Sequence, residues 1–176
     1  MGYFSGILTN IRFYVFLFSA ILAGSIYFYV KQTIPTEAAQ TIKLTQTYAL
    51  TAVTYLYFAL LASPLTRFFT FLPFRGQYIH ARRAIGVSAL MFASFHMWNA
   101  FFGELGGFSG LQYLNLKYLT AVTLGAASLT ILSLMAMTST EWAVSKLSYK
   151  RWKFLHRFVY LAAILITIHV LMLGSH

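Results

Sequence analysis

Charged residues cut the chain into five long apolar blocks. Phe13–Val30, Leu44–Thr66, Ala84–Gly103, Tyr118–Thr140 and Phe158–His176 contain no Asp, Glu, Lys or Arg. They are 18, 23, 20, 23 and 19 residues long. A hydrocarbon core of ~30 Å takes about 20 helical residues to cross. A lipid-exposed backbone must also satisfy its own hydrogen bonds, which a helix does. The alternating ten-residue strands of a transmembrane barrel are not seen. The pattern predicts an all-α, polytopic transmembrane bundle of five helices, forming one domain over residues 1–176. The first block is longer than the 7–15 residues, roughly, of a signal-peptide core and is read as a retained helix.

Composition supports the membrane class. Apolar residues make up 59% and charged ones 9%, against roughly 45–50% and 25% in soluble domains. That excludes a disordered chain, which needs the reverse balance, and argues against a soluble domain. The net charge of +10 comes from 13 Lys and Arg against 3 Asp and Glu. These basic residues follow topology. Arg12, the group Arg67, Arg75, Arg82 and Arg83, and the group Lys146, Lys150, Arg151, Lys153 and Arg157 fall on one side. Lys31, Lys43 and Lys117 fall on the other. The positive-inside rule places the N-terminus in the cytoplasm and His176 outside. Nucleic acid is not needed to explain the charge.

Cysteine is absent, which excludes thiolate metal sites, iron–sulfur clusters and covalent c-type haem. The acids Glu37, Glu104 and Glu141 all fall between the blocks, so no paired-carboxylate or Ser/His/Asp constellation exists. The segment Gly103–Gly110, GELGGFSG, follows no strand and reads as an outer turn rather than a phosphate cradle. Trp142 and Trp152 read as interfacial anchors on the inner side. Trp98, two residues from His96, reads as packing on whatever His96 binds.

Histidine is the remaining ligand. His96 stands thirteen residues beyond Arg83, and His169 thirteen beyond His156. Both helices run outward, so each ring lies ~20 Å above its basic anchor. Two imidazoles at matching depth can grip one iron; two neutral rings hydrogen-bonded between helices are the alternative. Ala93, Phe92, Ala89, Asn99, Ala100 and Gly103 share the ideal helical face of His96. The small residues among them suit either a flat ligand or close helix packing. In the fifth helix Ala162 shares the His169 face. His156 sits at the inner end of that helix, and an ideal helix turns it about 140° from His169. His80 precedes Arg82 and Arg83 and reads as a solvated loop residue ahead of the helix. His176 reads as a terminal surface residue.

The segments ARRAIGVSALMFASFHMW (81–98), LKYLTAVTLGAASLTILSLMAMTST (116–140) and KRWKFLHRFVYLAAILITIHVLMLGSH (150–176) resemble the ferric reductase-like transmembrane domain. LLASPLTRFF (60–69) fits its MsrQ-type branch, the haem-binding membrane subunits of methionine sulfoxide reductase systems. The resemblance covers roughly residues 45–176 and rests on RR-x-x-G, an in-helix His, TST, and LHR-x-VYLA with a His thirteen residues on. It implies a haem b bundle, six helices in the family pattern, with His96, His169 and His156 as iron ligands. His96 and His169 would share the outer haem. Arg82 and Arg83 stand where two-haem relatives carry a second histidine, so an inner haem at His156 would take His80, another side chain or water opposite. No flavin or nicotinamide domain is visible. The resemblance therefore implies a separate donor, either a cytoplasmic flavin reductase carrying FMN or FAD or a membrane quinol. It implies an extracytoplasmic reductase or ferric iron as acceptor, and a bacterial inner-membrane location. A structural subunit whose histidines bind nothing and a His-lined proton or metal transporter are the rival readings.

Overall fold

The computed structural model describes residues 10–71 and 73–173. His176 lies outside them. Among the described residues the chain is helical with no strand. Five helical spans, Ile11–Thr33, Glu37–Phe68, Arg75–Glu104, Leu116–Met137 and Tyr149–Leu173, are long and apolar enough to cross a membrane. They follow the five apolar blocks in order. The chain divides into two compact units, Met1–Ala100 and Phe101–His176.

The first unit holds α1 (Ile11–Thr33), α2 (Glu37–Phe68) and α3 (Arg75–Trp98). Asn10 caps α1 by accepting from the Arg12 amide at 3.0 Å. Pro35 forbids helical geometry at the residue before it, and α1 ends there with Ile34 extended. Gln40 ties the turn down, accepting from Lys31 Nζ and donating to the Ile34 carbonyl, each at 2.7 Å. α2 crosses lipid although rich in threonine. Thr41, Thr45, Thr47, Thr51, Thr54 and Thr66 each donate to the carbonyl four residues back, so no hydroxyl there needs water.

α2 and α3 are antiparallel, since Thr45 meets His96 while Ala59 meets Arg82. Alanines line the contact: Ala52, Ala59 and Ala62 on α2, and Ala81, Ala84 and Ala89 on α3, are all buried. Small side chains let the backbones approach, the main attraction left between helices in lipid. Phe92 fills the centre at 0% exposure, with ring centroids 5.2 Å from Tyr55 and 6.2 Å from Tyr48. The tyrosine hydroxyls find partners on α1: Tyr48 donates to the Ala23 carbonyl and Tyr55 meets Ser19 Oγ, both at 3.1 Å.

Beyond Trp98 the helix widens into a π-helical segment, Asn99–Glu104. Gly106 and Gly107 then adopt φ of 69° and 78°, the left-handed region open to glycine. Gly110 approaches the Leu105 carbonyl too closely for a Cβ. Gly103–Gly110, expected as a turn, runs instead from the π-helical end through a turn at Gly106–Gly107 into a short helix that begins at Phe108.

The second unit holds α4 (Phe108–Leu111), α5 (Leu116–Met137), α6 (Glu141–Leu147), α7 (Tyr149–His156) and α8 (Phe158–Leu173). Asn115 caps α5, accepting from the Tyr118 amide at 3.1 Å. α5 pairs antiparallel with α8, burying Ala121, Ser128 and Leu132 against Val159, Ala162 and Ala163. α5 stops at Met137. Its Thr138 carbonyl accepts from Trp152 Nε1 at 3.1 Å, and Thr140 caps α6. Ser148, at φ 56°, separates α6 from α7.

Three local expectations need correction. His80, Arg82 and Arg83 lie within α3, which begins at Arg75, rather than ahead of it. Thr138–Thr140 form a turn instead of ending a helix. Lys146 and Lys150 lie on α6 and α7 rather than in a loop. The common reason is that charge marks where hydrocarbon ends, whereas helices continue into the polar interface.

Candidate functional site

His96 lies in the last turn of α3 and is half-buried. Its Nδ1 stands 3.0 Å from the Thr45 carbonyl of α2. His169 lies on α8, also half-buried, with Nδ1 2.7 Å from the Ala121 carbonyl of α5. A carbonyl oxygen only accepts, so in each ring the proton sits on Nδ1. The lone pair of the neutral ring is then on Nε2, the usual arrangement of an imidazole that binds metal. Each histidine is therefore oriented by the helix its own helix packs against.

His156, the last residue of α7, is built differently. Its Nε2 faces Thr138 Oγ1 at 3.4 Å, and its ring lies 4.2 Å from that of Trp152. Trp152 was expected only as an interfacial anchor; it also closes the end of α5. Trp142 is exposed. Arg157 interrupts the helix after His156, and its amide and carbonyl make i→i+3 hydrogen bonds with Phe154 and Tyr160. The 140° rotation expected between His156 and His169 assumed an unbroken α-helix, and Arg157, at φ -73° and ψ -20°, is the one residue that interrupts it.

The ideal face drawn around His96 also changes. Ala89 and Phe92 are packed against the first unit's own helices, at 1% and 0% exposure, so these positions serve close packing and not a flat ligand. Asn99, Ala100 and Gly103 lie on the π-helical segment, where the 3.6-residue period fails. Asn99 turns back to donate to the Phe95 carbonyl at 2.8 Å. Trp98 is exposed. Ala162, placed on the His169 face, is fully buried against α5.

Arg82 reaches α2, where Nε donates to the Ala59 carbonyl at 3.0 Å and Nη1 to Ser63 Oγ at 2.9 Å. This fastens α3 to α2 one turn before Pro64. Arg83 is half-buried on the next position of α3. His80 is exposed, and its carbonyl accepts from Arg12 Nε at 3.4 Å. Among the described residues no three His, Cys, Asp or Glu gather as a metal cluster. A planar tetrapyrrole does not need one, since its iron asks the protein for two axial ligands at most.

Sequence reasoning missed Thr45, Ala121 and Gly125. Backbone carbonyls leave no residue signature, so Thr45 and Ala121 could not be read as partners of the two rings. Gly125 was legible: Ala121 and Gly125 are spaced as small-xxx-small, the mark of a close helix contact. A Cβ at Gly125 would fall 2.9 Å from His169 Cε1.

A family model described as ferric reductase like transmembrane component matches residues 45–167. The match includes His96 and His156 and ends two residues before His169. A protein-methionine-sulfoxide reductase heme-binding subunit MsrQ of Enterobacter sp. (strain 638) is 38% identical over 124 residues, 68% of this chain and 58% of that relative. Subunits of the same name from Salmonella paratyphi B and Salmonella newport are 37% identical over 125 residues, 69% of this chain and 59% of each relative. The match thus spans under two thirds of the length of these curated relatives.

Proposed function

This chain belongs to the ferric reductase like transmembrane component family, and we propose from that membership that it is a haem b electron-transfer subunit of a multi-pass membrane oxidoreductase. In this reading residues 1–176 act as one domain, and the acceptor is a reductase or ferric iron outside the cytoplasm. The donor is a cytoplasmic flavin reductase, bringing FMN or FAD, or a membrane quinol. The membrane is the bacterial inner membrane, with the N-terminus in the cytoplasm. His96 and His169 would hold one haem between them.

The carrying observation is the shared chemistry of these two rings. Each holds its proton on Nδ1 against a backbone carbonyl, which puts the ring's lone pair on Nε2, the nitrogen through which such an imidazole would bind iron. The fit extends to the cradle: His169 lies against Gly125, where any Cβ would crowd the ring. The absence of cysteine leaves non-covalent, b-type attachment. Haem, when bound, supplies one-electron transfer at iron. The chain supplies the rest. The Thr45 and Ala121 carbonyls fix tautomer and ring orientation and raise imidazole basicity. Two histidine ligands would favour electron transfer over oxygen chemistry. The apolar helices provide a low-dielectric shell. A reduced-minus-oxidised visible spectrum of the purified protein tests the reading. A sharp α-band of b-type haem is expected; its absence leaves the structural-subunit and transporter readings.

His156 belongs to a weaker, inner site. Its Nε2 is directed at Thr138, so ligation there calls for a turned ring or for Nδ1, with His80, another side chain or water opposite. His156→Ala is expected to remove at most one haem equivalent and to leave the outer spectrum intact, read as the haem-to-protein ratio. Loss of all haem would show that His156 serves folding instead.

Lys146, Lys150, Arg151, Lys153 and Arg157 are all exposed beside His156, a surface for an acidic donor or a flavin phosphate. Replacing Lys146 and Lys150 with Gln should slow reduction of the protein by a soluble donor by up to about tenfold at low salt. It should also flatten the dependence of that rate on ionic strength, without loss of haem. An unchanged rate would assign these charges to topology alone.

A further inference from the structure

Gly125 is an interior glycine of a membrane-spanning helix, a position where alanine is intrinsically better by about 1 kcal/mol. Nothing in local backbone geometry requires it, since only Gly106 and Gly107 among the described glycines have positive φ. The requirement comes from α8. A Cβ on residue 125 would stand 2.9 Å from Cε1 and 3.0 Å from Nδ1 of His169. Side chains can often yield to such a contact, but this one is pinned, because Nδ1 is held on the Ala121 carbonyl at 2.7 Å. Ala121 and Gly125 are one helical turn apart on the same face of α5. Together they form a seat, with a carbonyl that holds the ring through Nδ1 and a bare Cα that leaves room for it against the helix.

We propose that Gly125 is a positioning residue for His169, fixing the plane and tautomer of that imidazole by leaving room for the ring against α5. The consequence for iron rests on the reading of His169 as an axial ligand; the seat itself involves only α5 and α8. An added methyl must turn the ring off the Ala121 carbonyl or push α8 away. Either change alters ring orientation and the Nδ1–H hydrogen bond, two quantities through which second-shell groups tune a bound metal.

The test uses the full chain, purified in detergent and labelled with 15N-histidine, as wild type, Gly125→Ala and Gly24→Ala. Gly24 is the control, a spanning-helix glycine with open space around its Cβ position. In Gly125→Ala the hydrogen-bonded Nδ1–H signal of His169, assigned by its loss in His169→Ala, should shift or disappear. The g-values of the low-spin ferric haem should shift with it, while Gly24→Ala leaves both unchanged. A His169 signal that stays in place in Gly125→Ala overturns the proposal. If the wild type binds no haem, the ligand reading fails while the nitrogen spectrum still decides the seat. If Gly125→Ala is poorly stable, its thermal midpoint is compared with that of Gly125→Ala/His169→Ala. Relief of the destabilisation when the ring is removed supports the seat, and additive losses overturn it.

Discussion

Alanine at His96 or at His169 is expected to abolish one and the same low-spin b-type spectrum. The two rings are equivalent in the chemistry that matters, with each proton on Nδ1 and each Nδ1 on a carbonyl of the neighbouring helix. If the two rings hold one haem, loss of either would remove the bis-histidine signal, so it should go in both single variants. The double variant should show no further spectral loss. Two distinguishable haems deleted by the two variants, or a full bis-histidine spectrum retained in either, would break the pairing.

The second large effect is on stability. Phe92→Ala empties the centre of the α2–α3 contact, where the ring is fully buried against Tyr48 and Tyr55. In a water-soluble core such a change costs about 3–5 kcal/mol. Part of that is transfer of the ring out of water, which largely vanishes when the separated helices sit in lipid. The cavity remains, so the expected loss is about 2 kcal/mol, seen as a lower midpoint of denaturation in mixed detergent. Phe92 lies one turn below His96 on α3, so haem release on heating should accelerate in the same variant. A midpoint within error of wild type would mean that α2 and α3 close over the gap.

The number and order of the spans were legible because lipid imposes a simple rule on side chains. Their ends were not. α2 begins at Glu37 and passes over Lys43, because charged side chains can sit in the interface while the backbone stays helical. At 1.5 Å per residue its 32 residues reach about 48 Å, well beyond the hydrocarbon. Helices α6 and α7 were invisible for the same reason, being too short and too rich in charge to register as apolar blocks. His96 and His169 stood out as rare ionisable residues inside spans. Their surroundings did not, since a helical wheel cannot anticipate a π-helical segment, and the atoms that orient both rings are main-chain oxygens. Arg82 was read from a family position. Its bonds to Ala59 and Ser63 depend on which helix lies alongside, and one sequence does not carry that information.

The π-helical segment Asn99–Glu104 also bears on how this chain can change in length. Each of its hydrogen-bonded rings encloses one residue more than an α-helical ring. Loss of a single residue there is absorbed by a return to α geometry, whereas the same loss inside α3 would turn every later side chain by about 100°. The stretch just past His96 is therefore where loss of one residue can be accommodated without turning the side chains beyond it. Sequence length between His96 and the glycine turn is thereby uncoupled from the register of the helix below it.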